Sequence, residues 1–333
     1  MPMVAPKKKI SAVITLFFVA PFVAEYLLGD LPLKLLPVLL LMAPMYGGGA
    51  VLIRDLTRRA GRGWPTMLML GVAYALLEEG LITQSLFNHD YLKMHMHLLD
   101  HAYIPVLGIS AWWTLLMLNL HMFWSMGVSI ALVEAMYPAE ADAPWLGRAG
   151  DGVVEAFFVL GPVANFAIGF KQNHFLASNA QLISVCVLVI VVAVSAFLIP
   201  AAGPRVVGGS VPKAWITGAV ALVFGMGLMS VPPTWSWGAV AAMLALDAVF
   251  LILVWIFSRR LAWSAMHTVS LGGGGALVYG IHAFMQKPLV PGALVWARIG
   301  NAVFFAVAIW LIAIGVTRVS RLTAGRPAAT LDV

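Results

Sequence analysis

The chain has 333 residues, of which 62% are hydrophobic and only 10% charged, with a mean hydropathy of +0.94. Soluble globular proteins keep their apolar fraction nearer one half, so this composition excludes that class and leaves a polytopic protein whose partner is the lipid bilayer of the cell membrane. The net charge of +6 does not point to nucleic acid, because the basic residues lie in short groups at predicted helix ends and form no stripe interleaved with aromatics.

The first apolar run, ISAVITLFFVAPFVAEYLL after Lys7, Lys8 and Lys9, is longer than the core of a secretory signal and lacks an A-x-A cleavage site, so it reads as an uncleaved first span. Stretches of about 20 apolar residues, the length that crosses a bilayer, follow near 34–53, 64–87, 107–137, 151–171, 180–200, 213–231, 236–258, 262–284 and 295–317. The pattern predicts an all-α bundle of ten transmembrane helices forming a single transmembrane domain over 1–333. Alternate loops divide the twenty Lys and Arg residues unevenly. Fifteen fall on the side of the N-terminus, and five (Lys34, Lys93, Lys171, Lys287, Arg298) on the other. Basic residues favour the cytoplasmic side, so both termini are predicted to be cytoplasmic, with 319–333 a short cytoplasmic tail and 88–106 an extracytoplasmic loop. Trp64, Trp112, Trp113, Trp145, Trp235, Trp237, Trp263 and Trp296 sit near span ends, as interfacial anchors do. Gly47–Gly49 and Gly272–Gly275 remove side chains where helices could approach closely. The lone cysteine, Cys186, lies in the run LISVCVLVIVVAV, which excludes an intrachain disulfide and reads as apolar packing.

The costliest residues in the chain are Glu78 and Glu79, inside WPTMLMLGVAYALLEEGLITQSLF. A carboxylate in the hydrocarbon region costs roughly 2.5 to 3.5 kcal/mol on insertion scales. Two in succession must therefore face protein, water, a cation or each other. On a continuous helix Tyr74, Glu78 and Ser85 share a face, with Glu79 above Thr83. Two intramembrane histidines, His121 in LNLHMFWSM and His282 in YGIHAFMQKP, lie at depths where they could meet the glutamates. A glutamate with two histidines can polarise a water or hold a divalent metal such as zinc, the arrangement a hydrolase needs to make a nucleophile at neutral pH, although nothing in the sequence requires a metal.

These residues resemble the CAAX-processing and bacteriocin-processing intramembrane protease family, whose pattern is EExxxR, then FxxxH, then HxxxN on successive membrane helices. This chain has Glu78-Glu79 with Thr83 at the arginine position, Met117-x-x-x-His121, and His282-x-x-x-Gln286, in the same order. The resemblance covers three helices. It implies a catalytic set of Glu78, Glu79, His121, His282 and Gln286, in which a glutamate activates water and the histidines stabilise the oxyanion. The implied substrate is a membrane-embedded or lipid-modified peptide. From position on the helix, Glu78, Glu79, His121 and His282 are expected to converge in a cavity reached from the outer face, roughly 10 to 15 Å below it.

Two other classes fit the same acids. A proton- or ion-coupled secondary transporter of a small molecule would use membrane-embedded carboxylates, here joined by Glu25, Glu134, Glu155 and Asp247, with Asn119 and Asn165 on a polar path. A non-enzymatic scaffold or partner subunit would use them as interhelical hydrogen-bonders. In the loop, Met94, His95, Met96, His97 and His101 are ligand types that suit copper. The apolar spacing of Leu92, Met96, Leu99 and Tyr103 instead predicts a short helix on the bilayer surface without a tight metal site.

Overall fold

The computed structural model describes residues 9–201, 203, 205–286 and 294–324. Lys7, Lys8, Lys287 and Arg326 of the charge count, and the tail beyond Ala324, lie outside the described residues. Among the described residues the protein is all-α, with ten long helices. They are α1 Ile10–Leu27, α2 Leu33–Arg59, α3 Trp64–Ile82, α4 Ala111–Met136, α5 Arg148–Asn173, α6 Asn179–Leu198, α7 Ala214–Met229, α8 Trp237–Ser258, α9 Ala265–Met285 and α10 Leu294–Ala324. Eight are long and apolar enough to cross a membrane. The other two are α7, with 16 residues, and α9, whose four consecutive glycines dilute its hydropathy.

Consecutive helices alternate in direction, because hydrogen bonds tie alternate connections together at the two ends. At one end Arg59 donates to the Leu146 carbonyl, Arg62 to Ile199, Arg205 to Trp263 and Arg318 to Met136. At the other, the Leu92 amide donates to Asn173, the Ala177 amide to Gln84, the Ala102 amide to Ser236 and Gln286 to the Leu28 carbonyl.

The bundle has an enclosed centre and a lipid-facing rim. Most of α4 is buried, and it packs against α1, α3, α9 and α10. In contrast, α5, α6 and α8 present Val159, Leu160, Ile183, Ile190, Val249 and Ile252 outward, as helices solvated by lipid do. In the centre Trp124 stacks on Tyr279 with ring centroids 5.0 Å apart and donates to the Gly275 carbonyl at 2.8 Å. Glycine makes these approaches possible: a Cβ on Gly47 would sit 2.0 Å from the Phe17 carbonyl oxygen, and one on Gly274 2.1 Å from that of Gly218. The glycine clusters are therefore close-packing surfaces within intact helices.

Three helices widen into π-helical turns, at Phe22–Leu27 in α1, Glu78–Ile82 in α3 and Leu120–Val128 in α4. Each has a local cause. Pro21 lacks the N–H that would continue α1, Gly80 leaves room for Val185 of α6 within 2.7 Å of its virtual Cβ, and Ser125 and Ser129 in α4 bond carbonyls five residues back.

Several element boundaries differ from expectation. The third span ends at Ile82, because Gln84 turns left-handed at φ 55°, so Ser85 leaves the Tyr74–Glu78 face and folds back. The fourth helix starts at Ala111 after a tight antiparallel pair, β1 Tyr103–Ile104 and β2 Ile109–Ser110, closed by Gly108 at φ 68°. The surface helix expected in 88–106 does not form. Positive φ at Leu92, Lys93, His95, His97 and Ala102 breaks the repeat, leaving a single 3₁₀ turn at Tyr91–Lys93.

Candidate functional site

The three π-helical turns converge. Each carries one part of a polar cluster: Glu25 on α1, Glu78 and Glu79 on α3, and His121 on α4. A π turn holds more residues than an α turn, so successive side chains lie closer together around the axis. This lets the adjacent glutamates both face protein. Glu78 is 2% exposed, Glu79 8% and His121 5%.

Glu79 is the most fully bonded member. Its Oε1 lies 2.9 Å from His121 Nε2, and its Oε2 accepts from Thr83 Oγ1 at 2.9 Å and from Ser85 Oγ. Ser85 in turn accepts from Trp113 Nε1 at 3.1 Å. The other imidazole nitrogen, Nδ1, lies 3.2 Å from Ser125 Oγ and 3.4 Å from Glu78 Oε2. Among the described residues Glu78 Oε2 and the Tyr74 hydroxyl are buried without a hydrogen-bond partner. Glu25 accepts from the Tyr46 hydroxyl at 2.6 Å, and the Tyr46 and Tyr74 rings lie 6.1 and 5.8 Å from the imidazole. Gly49 admits the Tyr74 ring, since a Cβ there would meet it at 2.7 Å.

Ligand atoms from Glu78, Glu79 and His121 lie within 4.8 Å of one another, so these three could share a divalent cation. Chemically the set offers a carboxylate free to take a proton, an imidazole and a second carboxylate that orients it.

Two groups outside the spans feel the cluster. Burial, and then the charges of Glu79, Glu25 and Glu78, push up the Tyr91 phenol of the loop. Burial followed by the charge of Glu25 raises Asp30 to about 7, while its hydrogen bond from Gln286 opposes the shift. Trp113 at the start of α4 joins the end of the loop to the cluster, its amide donating to Ser110 Oγ at 3.0 Å and its indole to Ser85 Oγ at 3.1 Å.

Of the five residues singled out from sequence, Glu78, Glu79 and His121 come together, whereas His282 and Gln286 do not. His282 is half-buried on α9, with no hydrogen bond or ion pair to the other three among the described residues. Gln286 ends α9, donating to the Leu28 carbonyl at 2.6 Å and to Asp30 at 3.1 Å, and its own carbonyl accepts from Arg298. Gln286 belongs to the seam between α9, α10 and the end of α1, and α9 packs chiefly on α7 and α10. The residues of the cluster line neither the pocket on α5 nor the one between α7 and α8.

Sequence reasoning missed Tyr46, and it placed Glu25 among the additional carboxylates of a transporter rather than with Glu78 and Glu79. Glu25 carried a signal, as an acid four residues after a proline in an apolar run. Tyr46 carried none, since an aromatic beside glycines reads as packing. The loop histidines pair locally, His95 with Asp90 at 3.1 Å and His97 with Asp100 at 2.9 Å.

No curated protein and no solved structure matches the chain. One family profile does, over residues 14–331, which is most of the chain and includes every residue of the cluster. A multi-pass helical architecture and a match of that extent lead to one assignment: the chain belongs to the family described as "Uncharacterized membrane protein family".

Proposed function

We propose that the protein is an intramembrane hydrolase of the glutamate–histidine type, acting on a membrane-embedded or lipid-modified peptide. The observation that carries this reading is the contact of His121 with both glutamates, 2.9 Å to Glu79 and 3.4 Å to Glu78, in a site closed to bulk water. Glu78, with a carboxylate oxygen free of hydrogen bonds, is the general base that takes a proton from water. Glu79, held by Thr83 and Ser85, orients the imidazole, which donates to the developing oxyanion or the leaving amine. His282 and Gln286 have no part in this step. The site works within one transmembrane domain of ten crossings, with the arginine-rich end cytoplasmic and the 88–110 loop outside.

The test is turnover of membrane-anchored fluorogenic peptides by purified protein in nanodiscs. Glu78→Gln keeps the side-chain shape and removes the base, so cleavage falls by about 10²- to 10⁴-fold while the melting temperature holds. Glu79→Gln weakens turnover less, because it disturbs orientation alone. A folded Glu78→Gln variant that cleaves at the wild-type rate defeats the reading.

Proton-coupled transport is the second reading, favoured by Glu25, a third carboxylate whose Tyr46 bond connects α1 and α2 to the cluster. Its sign is proton flux in sealed liposomes that Glu78→Gln or Glu25→Gln abolishes, in a protein that cleaves no peptide.

A further inference from the structure

A further acid, partly buried, lies outside this cluster on an apolar helix. Asp247 is halfway along α8 and is the only charged residue in that 22-residue helix, which is the most lipid-exposed of the long apolar helices. It faces Asn119 of α4, which is 1% exposed. Asn119 Nδ2 donates to Asp247 Oδ2 at 3.1 Å and to the Leu115 carbonyl at 3.0 Å, which uses both amide hydrogens. Two oxygens of the pair, Asn119 Oδ1 and Asp247 Oδ1, are then buried without a partner among the described residues. Both are acceptors when Asp247 is ionised, so neither can satisfy the other.

No described cation compensates an ionised Asp247. Neighbouring α7 contains no titratable residue, and on α4 His121 is engaged by Glu78 and Glu79, and Glu134 by Arg54 and Arg58. An uncompensated carboxylate near the bilayer midplane is the costliest arrangement available to this residue. A single proton removes both difficulties. On Asp247 Oδ1 it neutralises the acid and supplies the one donor the pair lacks, for Asn119 Oδ1, completing a two-hydrogen-bond ring between acid and amide.

We infer that Asp247 and Asn119 form a second intramembrane proton-binding site, a carboxylic acid–carboxamide pair that fastens lipid-facing α8 to the central helix α4. The site is independent of the Glu79–His121 cluster and stands whether or not that cluster is hydrolytic. Losing the proton breaks the ring and loosens α8 at its midpoint, next to the face where Phe224 and Phe250 stack with centroids 4.1 Å apart.

Infrared difference spectroscopy of wild type against Asp247→Asn in nanodiscs at neutral pH tests the inference. The expected result is a hydrogen-bonded protonated-carboxyl band lost in Asp247→Asn, whose melting temperature matches wild type because a second amide can close the same ring. Asp247→Ala and Asn119→Ala melt lower, and the double variant no lower than either. Carboxylate bands in place of the acid band, as a water bridging the two oxygens would give, overturn the proposal. Asn119→Leu supplies the check if Asp247→Asn misfolds: the acid band persists but moves to the position of an unbonded carboxyl, and a band that does not move also overturns it.

Discussion

The same bundle buries charge at two ends and neutralises it by opposite means. At the arginine-rich end Arg54, with no exposed surface, pairs with Asp55 at 2.8 Å and Glu134 at 3.1 Å and lies 3.6 Å above the Trp145 ring. Arg58 shares Glu134 at 2.8 Å, and Arg59 pairs with Asp151. All three of these cations are guanidinium groups, charged at any physiological pH. At the other end Glu25, Glu78 and Glu79 meet an imidazole, tyrosines and hydroxyls, with no lysine or arginine among their described partners. The first cluster is a fixed lattice whose charges balance permanently. The second balances only through groups that gain or lose protons, the property that chemistry or transport requires.

The contrast is broken most severely at Arg54. Arg54→Met leaves Asp55 and Glu134 short of a buried partner, and removing one side of a buried pair costs about 3 to 5 kcal/mol. The expected outcome is a large fall in melting temperature in detergent, where Glu78→Gln produces little change. Equal melting temperatures for the two variants would erase the distinction between lattice and site.

A smaller effect sharpens the proton-balanced end. Asp30, raised to about 7 in the fold, binds its proton more tightly there than in the unfolded chain. Its contribution to stability is therefore complete below the unfolded carboxylate range near pH 4 and is lost as pH rises through about 7. Melting temperature should decline between about pH 5 and about pH 8, and Asp30→Asn should flatten that part of the curve. A wild-type profile that rises over this interval contradicts the assignment.

The smallest effect belongs to the edge of the arginine lattice. Asp142 contacts Arg58 at 3.4 Å, but its side chain is 97% exposed. Solvent screens such a pair, so Asp142→Ala leaves the melting temperature unchanged. A measurable drop would extend the lattice into solvent.

Hydropathy made eight of the ten helices legible by length and composition, because a span must present about 20 apolar residues whatever it packs against, and α7 and α9 were legible as apolar runs between turn signals. The Glu78–Glu79–His121 contact was legible in part, since an ionisable group in a span narrows its own partners. His282 satisfied the same rule and failed. Periodicity reports which residues lie in the bundle, but not which face of a helix meets which neighbour, and α9 reaches α4 through Gly275 and Tyr279. The π turns were equally invisible: moving Ser85 onto Glu79 took a left-handed Gln84 that no apolar pattern encodes.

The Arg54–Asp55 pair also bears on how the chain is made. Arg54 draws on Glu134, 80 residues later, and on the carbonyls of Glu140 and Ala141, while Asp55 accepts from the amides of Trp145 and Leu146, 90 and 91 residues later. A ribosome that has released α2 and α3 has produced a charged pair with none of these partners. The first three helices must therefore wait at the membrane until α4 and the segment after it emerge. Assembly of the first half of the bundle becomes a single late event, set by the synthesis of residues 134–146 rather than by insertion of each helix in turn.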